Sequence, residues 1–208
     1  MSDRFYATVR VLSLPFLKCW IRLHVHGLEN IPRHGPLLVV ANHTSYLDPA
    51  VLGRACPRKI NFFIKRSVWR QRGLNWFYRG MDSIPTSTDP ADTSGLRAGL
   101  RHLAGGRVVG IFPEGGRTVD GRLGSAKTGA ALMAARTGCP VVPVGITGAF
   151  QAMPIGSSMP RPRRVDVSFG ESFNLAPGRG RKELESSVAI MKSRLESLLG
   201  AAAEDAPA

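Results

Sequence analysis

The chain has 208 residues, enough for one sizeable core and too few for two. Hydrophobic residues make up 43% of it, which excludes a globally disordered polymer. A formal net charge of +13 points to an anionic partner (nucleic acid, acidic membrane surface or phosphorylated substrate), or to a compositional bias toward arginine, alanine and glycine that is compatible with any of them. The arginines are scattered from Arg4 to Arg194 with no basic block of five, which argues against nucleic acid. Cys19, Cys56 and Cys139 form no C-x-x-C and leave an odd thiol, so a reduced cytosolic compartment and small core residues are expected. Val11 to Leu17 is seven residues long and broken by Pro15, far short of the roughly 20 that span a bilayer. It also lacks a small-residue cleavage site, so neither a transmembrane span nor a signal peptide is expected.

In chain order, residues 1–22 form an N-terminal amphipathic segment. Phe5, Tyr6, Val9, Leu12, Leu14, Phe16, Leu17, Trp20 and Ile21 are interspersed with Arg4, Arg10, Lys18 and Arg22, and Pro15 splits any helix in two. The pattern fits a membrane-interfacial helix and a core-packed helix equally. Leu23 to Leu28 reads as a short strand and Glu29 to Pro36 as a turn. Pro36 to Ala41 is an apolar run that ends at Asn42-His43, with helix-start chemistry at Ser45, Asp48 and Pro49. A helix over 50–55 is followed by a strand at Ile60–Ile64, then Lys65-Arg66, a short helix over 69–77 interrupted at Gly73, and an extended piece at 83–85. Leu96, Leu100 and Leu103 mark a helix that stops at Gly105-Gly106. Val108 to Phe112 is a third buried strand that runs into Pro113-Glu114-Gly115-Gly116-Arg117. Helix from Lys127 to Arg136, strand at 141–146 with Pro143 at a bulge or strand end, strand at 165–169 and a final helix carrying Leu184 to Leu198 complete the order. A frayed tail is expected over 200–208. The alternation predicts a single α/β domain over 23–199, with a largely parallel central sheet flanked by helices.

His43 stands where a buried strand stops and a helix begins, the edge at which open α/β sheets bind ligands. Asp48 is placed to accept a hydrogen bond from one ring nitrogen and leave the other as a general base for a substrate hydroxyl. On spacing alone Asp48 serves equally as a helix cap and His43 as a turn residue. Glu114 and Arg117 lie on a glycine-flexed loop after the third strand, where the backbone can approach a ligand and Arg117 can grip a phosphate. A surface Arg–Glu pair is the alternative there. Lys127 would add positive charge. No Walker or dinucleotide glycine pattern is present, and the five histidines lack metal-ligand spacing, so no metal site is expected.

Three ordered blocks, Asn42-His43-x-Ser45-x-x-Asp48, Phe112-Pro113-Glu114-Gly115-x-Arg117-Thr118 and Val142-Pro143-Val144-Gly145-Ile146, resemble those of the glycerolipid acyltransferases, the superfamily of 1-acylglycerol-3-phosphate acyltransferases. The likeness runs from about residue 24 to Ser172. It implies a glycerol-3-phosphate acyltransferase-like fold, with His43 as the general base of an H-x4-D motif and Asp48 as its orienting acid. Glu114, Gly115 and Arg117 would contact the glycerol-phosphate acceptor, with Lys65 and Lys127 nearby and Pro143 shaping the site. It implies no metal, no cofactor and no covalent acyl-enzyme, only acyl-CoA or acyl-carrier protein as donor, a lysophospholipid acceptor and an anionic membrane surface. Nucleic acid is not an expected partner, and the expected location is cytoplasmic, peripheral on the inner face of the cell membrane. The chain departs from the family at Gly80 to Thr86, where Thr86 stands in place of an arginine that helps to bind phosphate. Lys65, Arg66 and Arg79 are the candidates to compensate. Gly116 replaces a frequent threonine. Acyl transfer to a lysophospholipid is therefore the expected reaction, with another lyso-lipid or glycolipid acceptor, or a non-catalytic basic membrane-binding module, as alternatives.

Overall fold

Seven apolar runs pair into one sheet in the computed structural model, which describes residues 2–89, 91–178 and 180–204. The strands are β1 (Leu23–His26), β2 (Leu37–Ala41), β3 (Ile60–Lys65), β4 (Ile84–Thr86), β5 (Val108–Ile111), β6 (Val141–Thr147) and β7 (Val165–Phe169). Their order is β1-β7-β6-β2-β5-β3-β4. Every pairing is parallel except β6 with β7, so β1 and β7 run against the other five.

The helices are α1 (Ser2–Leu12), α2 (Asp48–Ala55), α3 (Arg66–Trp69), α4 (Asn75–Gly80), α5 (Ser94–Ala104), α6 (Gly129–Thr137), α7 (Ala149–Ala152) and α8 (Arg181–Glu204), with a π-helical turn at Phe16–Trp20. β2 lies at the centre, and all five of its residues are buried. Its side chains alternate between two cores, as the two-residue period of a strand requires. Leu37, Val39 and Ala41 pack with Leu17, Ile21, Val51 and Leu52 on one face. Leu38 and Val40 pack with Leu103, Met133, Met191 and Leu195 of α5, α6 and α8 on the other. Full burial of one such aliphatic side chain stabilises by about 1.5–3 kcal/mol, and both faces of the strand contribute.

The chain leaves β2 toward β3 and leaves β5 toward β6, so its connections part between the adjacent strands β2 and β5. That is a topological switch point, and the loops at the carboxyl ends of those two strands hold His43 and Glu114.

Several boundaries differ from expectation. Alanines 201–203 carry α8 through Gly200 to Glu204, whereas a frayed tail was expected from 200; residues 205–208 of that expected tail lie outside the described residues. α6 begins at Gly129, since Lys127 belongs to the preceding loop. The 69–77 helix divides into α3 and α4 around Gly73, at φ +88°. Pro143 does lie at a bulge, as expected: it stands inside β6, where Val141 pairs with Phe173 but Val144 pairs with Phe169, so two residues oppose three. The bulge falls on the β7 side, toward which the proline carbonyl points to accept from the Gly170 N–H at 2.9 Å, and no ladder donor is lost at a residue without one.

Residues 2–22 are tied to the domain. Tyr6, Leu17 and Ile21 are buried, and the Tyr6 hydroxyl donates to the Gly53 carbonyl at 3.0 Å. Val11, Leu12, Phe16 and Trp20 point outward.

Candidate active site

The turn after β2 is held by side chains turned back on its own backbone. Asn42, 2% exposed, donates its amide to the Ile146 carbonyl at 2.9 Å and accepts the Ile146 N–H at 2.8 Å, which pins the turn to β6. Sequence reasoning assigned Asn42 no role; an amide directly after an apolar strand was its only signal. Asp48 is fully buried, and its Oδ2 accepts from Thr44 N–H and Ser45 N–H, each at 2.7 Å, and from His43 Nδ1 at 2.8 Å. An oxygen already receiving two backbone donors acts as an acceptor toward the imidazole, so Nδ1 carries the hydrogen and Nε2 presents a lone pair. The Ser45 hydroxyl donates to the Met153 carbonyl at 2.9 Å and accepts the Leu47 N–H at 3.2 Å. It is fully buried and belongs to the turn, and α2 itself opens at Asp48 with Pro49 in its first turn.

The His43 ring stacks on Phe112, with centroids 4.1 Å apart and planes 19° from parallel, and Phe112 stacks in turn on Phe62 at 5.9 Å. Rotation of the imidazole is thus restricted by Asp48 at one nitrogen and by an aromatic face. The sequence marked Phe62 as a strand residue and Phe112 as a strand end that opens a motif, and assigned neither a part against His43, because their stacking depends on register.

The loop after β5 grips the same histidine from its other side. Glu114 Oε2 accepts the His43 N–H at 2.9 Å and Oε1 accepts the Gly124 N–H at 3.3 Å. The Thr118 N–H donates to the His43 carbonyl at 3.0 Å. Burial pushes the Glu114 carboxyl up to about 7, with the nearby charge of Asp48 adding to the rise and the two backbone donors opposing it. Glu114 was expected to touch the acceptor; in the structure both of its oxygens are engaged with backbone. Gly115 takes φ +73°, which favours glycine, and the exposed Lys127 side chain passes over it, its Nζ 2.6 Å from where a Cβ would stand. The Arg117 guanidinium lies 3.3 Å from the centroid of the Tyr46 ring. Its Nη1 is buried without a hydrogen-bond partner among the described residues, as is the Thr118 hydroxyl.

His43, Asp48, Glu114, Gly115, Arg117 and Lys127 therefore gather at one sheet edge. Lys65 ends β3 on that edge, exposed and in register with Thr86. Of the three cations expected to stand in near Thr86, Arg66 pairs with Asp92 at 2.8 Å and Ser94 at 2.7 Å, and Arg79 lies over Trp69. Lys65 has no ion pair among the described residues. Pro143 sits lower in β6, beside Gly170 on the face covered by α8. Its strand reaches the site through Ile146 and Asn42.

The family model described as "Acyltransferase" matches residues 22–147. A chloroplastic 1-acyl-sn-glycerol-3-phosphate acyltransferase of Arabidopsis thaliana is 36% identical over 146 residues, 69% of this chain and 40% of that one. A 1-acyl-sn-glycerol-3-phosphate acyltransferase of Bacillus subtilis is 24% identical over 153 residues, 73% of this chain and 74% of the relative. This chain spans about two fifths of the length of the chloroplastic relatives it matches. The crystal structure of the 1-acyl-sn-glycerophosphate acyltransferase of Thermotoga maritima superposes with a TM-score of 0.79 at 25% identity, covering 100% of this chain and 81% of that one.

Proposed function

The chain belongs to the acyltransferase family, and from that membership we propose that it moves a fatty acyl group from an acyl-CoA or acyl-carrier-protein thioester to the free hydroxyl of a lysophospholipid, with 1-acylglycerol-3-phosphate as acceptor and phosphatidic acid as product. The observation that carries this reading is the His43 Nδ1–Asp48 Oδ2 contact of 2.8 Å, which leaves Nε2 as a proton acceptor at the sheet edge. In the proposed reaction Nε2 takes the acceptor's hydroxyl proton as its oxygen attacks the thioester carbonyl. The tetrahedral intermediate then expels the thiolate, which recovers the proton from the imidazolium. General-base help of this kind is worth roughly 10² to 10⁴ in rate. The proposal involves no acyl-enzyme, metal or cofactor.

The reading of the acceptor rests on Arg117, whose buried Nη1 has no hydrogen-bond partner among the described residues and suits a phosphate oxygen. Lys65 and Lys127 are placed to add charge, with Lys65 supplying the cation that Thr86 does not. No helix among the described residues is long and apolar enough to cross a membrane. Peripheral attachment to the inner, anionic face of the cell membrane is the proposed arrangement, with the outward residues of α1 and the π-turn entering the interface.

The test is thiol release from palmitoyl-CoA against a panel of lyso-lipids, monoacylglycerol and glycerol 3-phosphate. Release with lysophosphatidic acid well above the others is the expected result. Equal release with every acceptor, or none, would overturn the assignment.

A further inference from the structure

We propose that the loop from Met153 to Arg164 is a second membrane-contacting element, which lays Ile155 and Met159 on an anionic phospholipid surface beside the catalytic turn. The loop is fastened at three places. Its Met153 carbonyl accepts the Ser45 hydroxyl at 2.9 Å, its Arg161 N–H donates to the Ala152 carbonyl at 2.7 Å, and its Pro160 carbonyl accepts the Trp20 indole N–H at 3.0 Å. Within it the Ser157 hydroxyl donates to the Met159 carbonyl at 2.9 Å, and the Ser157 N–H to the Pro154 carbonyl at 3.1 Å. These bonds tie the loop to the domain, and Met153 packs against the core, while Ile155 and Met159 face out.

Met159 is 74% exposed, Ile155 40% and the neighbouring Trp20 45%, with Phe16 one π-turn before it also outward. Apolar side chains brought together at one surface mark an interaction site more often than chance exposure does. Charge decides what the site takes. The segment from Met153 to Arg164 holds three arginines and no acid. Arg164 is gripped by Asp166 at 2.7 and 2.8 Å, but Arg161 and Arg163 are exposed and have no ion pair among the described residues. Lys18 and Arg22, on either side of Trp20 in sequence, are also exposed. Bare aliphatic side chains beside unpaired guanidinium groups suit acyl chains under acidic headgroups. They offer no aromatic ladder for bases.

The Ser45–Met153 bond gives the contact its consequence. Ser45 lies two residues from His43, so a loop seated on the bilayer also sets the depth of the catalytic turn. That consequence rests on the lipid-acceptor reading; the binding itself does not.

The experiment sediments the full chain with vesicles of phosphatidylcholine alone and of phosphatidylcholine mixed with phosphatidylglycerol. Wild type is compared with an Ile155→Asp/Met159→Asp double variant and an Arg161→Gln/Arg163→Gln double variant. Both pairs should weaken binding to the anionic vesicles by about tenfold or more, with an unchanged melting temperature because all four side chains are exposed. Turnover of a short-chain acceptor below its micelle concentration should also be unchanged. Wild-type binding by the Ile155/Met159 variant would assign membrane contact to residues 5–22 alone and overturn the proposal. Equal binding of wild type to neutral vesicles would overturn its anionic part, and loss of a dimer in place of vesicle binding would show a second copy on the patch. Vesicle binding that falls in the variants of a chain with no acyl transfer leaves the loop assignment standing and removes the lipid-acceptor reading.

Discussion

The turn from Asn42 to Pro49 and the loop from Pro113 to Lys127 meet at one sheet edge, but their polar groups are in opposite conditions. In the turn, Asn42 holds both backbone groups of Ile146, Asp48 Oδ2 takes three donors, and Ser45 bonds on two sides. Asp48 Oδ1 is its single buried orphan among the described residues. In the loop, each oxygen of Glu114 accepts one backbone N–H, but Arg117 and Thr118 each bury a polar atom with no hydrogen-bond partner among the described residues. A constellation that handles a proton gains from being rigid before substrate arrives. A cation that receives a phosphate must keep donors free until it does. In the proposed reading, the loop's open donors are the ones a phosphate would take up.

Short of removing His43 itself, the largest effect that sharpens this contrast is expected at Asp48. Asp48→Ala strips three hydrogen bonds from a buried turn, each to a charged acceptor and worth about 1.5–3 kcal/mol. It should lower Tm by about ten degrees or more and cut kcat by about 10²-fold or more; wild-type kcat in a folded Asp48→Ala protein would end the orienting role. Arg117→Ala comes next. It should raise the KM for lysophosphatidic acid by about 10–100-fold, the range lost with a charge-assisted hydrogen bond. The same variant should leave monoacylglycerol turnover as it was. An unchanged KM for the phosphorylated acceptor would remove Arg117 from the phosphate site.

Glu114 decides whether the two halves are joined. If it positions His43 through the backbone, Glu114→Gln should lower kcat by about tenfold and shift the acceptor KM little, since the two N–H groups meet different carboxyl oxygens and the amide nitrogen that replaces one of them cannot accept. A raised KM with normal kcat would restore Glu114 to the acceptor contact expected from sequence. Its ionisation adds a second readout. The folded carboxyl, pushed up to about 7 from 4.5, lies above its unfolded value. Its stabilising contribution is therefore complete below the unfolded value and is lost as pH rises through the folded one. Wild-type Tm should decline between about pH 5 and 8 more steeply than Glu114→Gln, and parallel curves would contradict the burial argument. The smallest effect belongs to Lys65, an exposed cation at the margin. Lys65→Ala should raise the acceptor KM by about two- to fivefold, in keeping with a screened charge contact, and no change would leave Thr86 uncompensated by Lys65.

Much of this arrangement was legible in the chain itself. The buried strands read clearly because β2, β5 and β6 are apolar runs between turn residues, and the His43–Asp48 pair lies within one turn. Strand direction did not, since the alternation of Val165, Val167 and Phe169 is the same whichever way β7 runs. The grip of Glu114 on His43 spans 71 residues and that of Asn42 on Ile146 spans 104, so both depend on which strands lie side by side. The bulge at Pro143 was legible because a proline inside an apolar run disrupts a ladder, but that its strand meets the turn through Ile146 was not. The final helix outran its expected end because its leucine pattern stops at Leu198 while the alanines after Gly200 still favour helix.

The account turns on His43 as a base held apart from acceptor binding. The direct measurement is thiol release from palmitoyl-CoA with lysophosphatidic acid by His43→Ala beside wild type, with acceptor affinity measured on both proteins. Turnover should fall by roughly 10² to 10⁴, while the acceptor binds within about a factor of three, a difference below 1 kcal/mol. Retained turnover, or acceptor binding lost together with turnover, would contradict it.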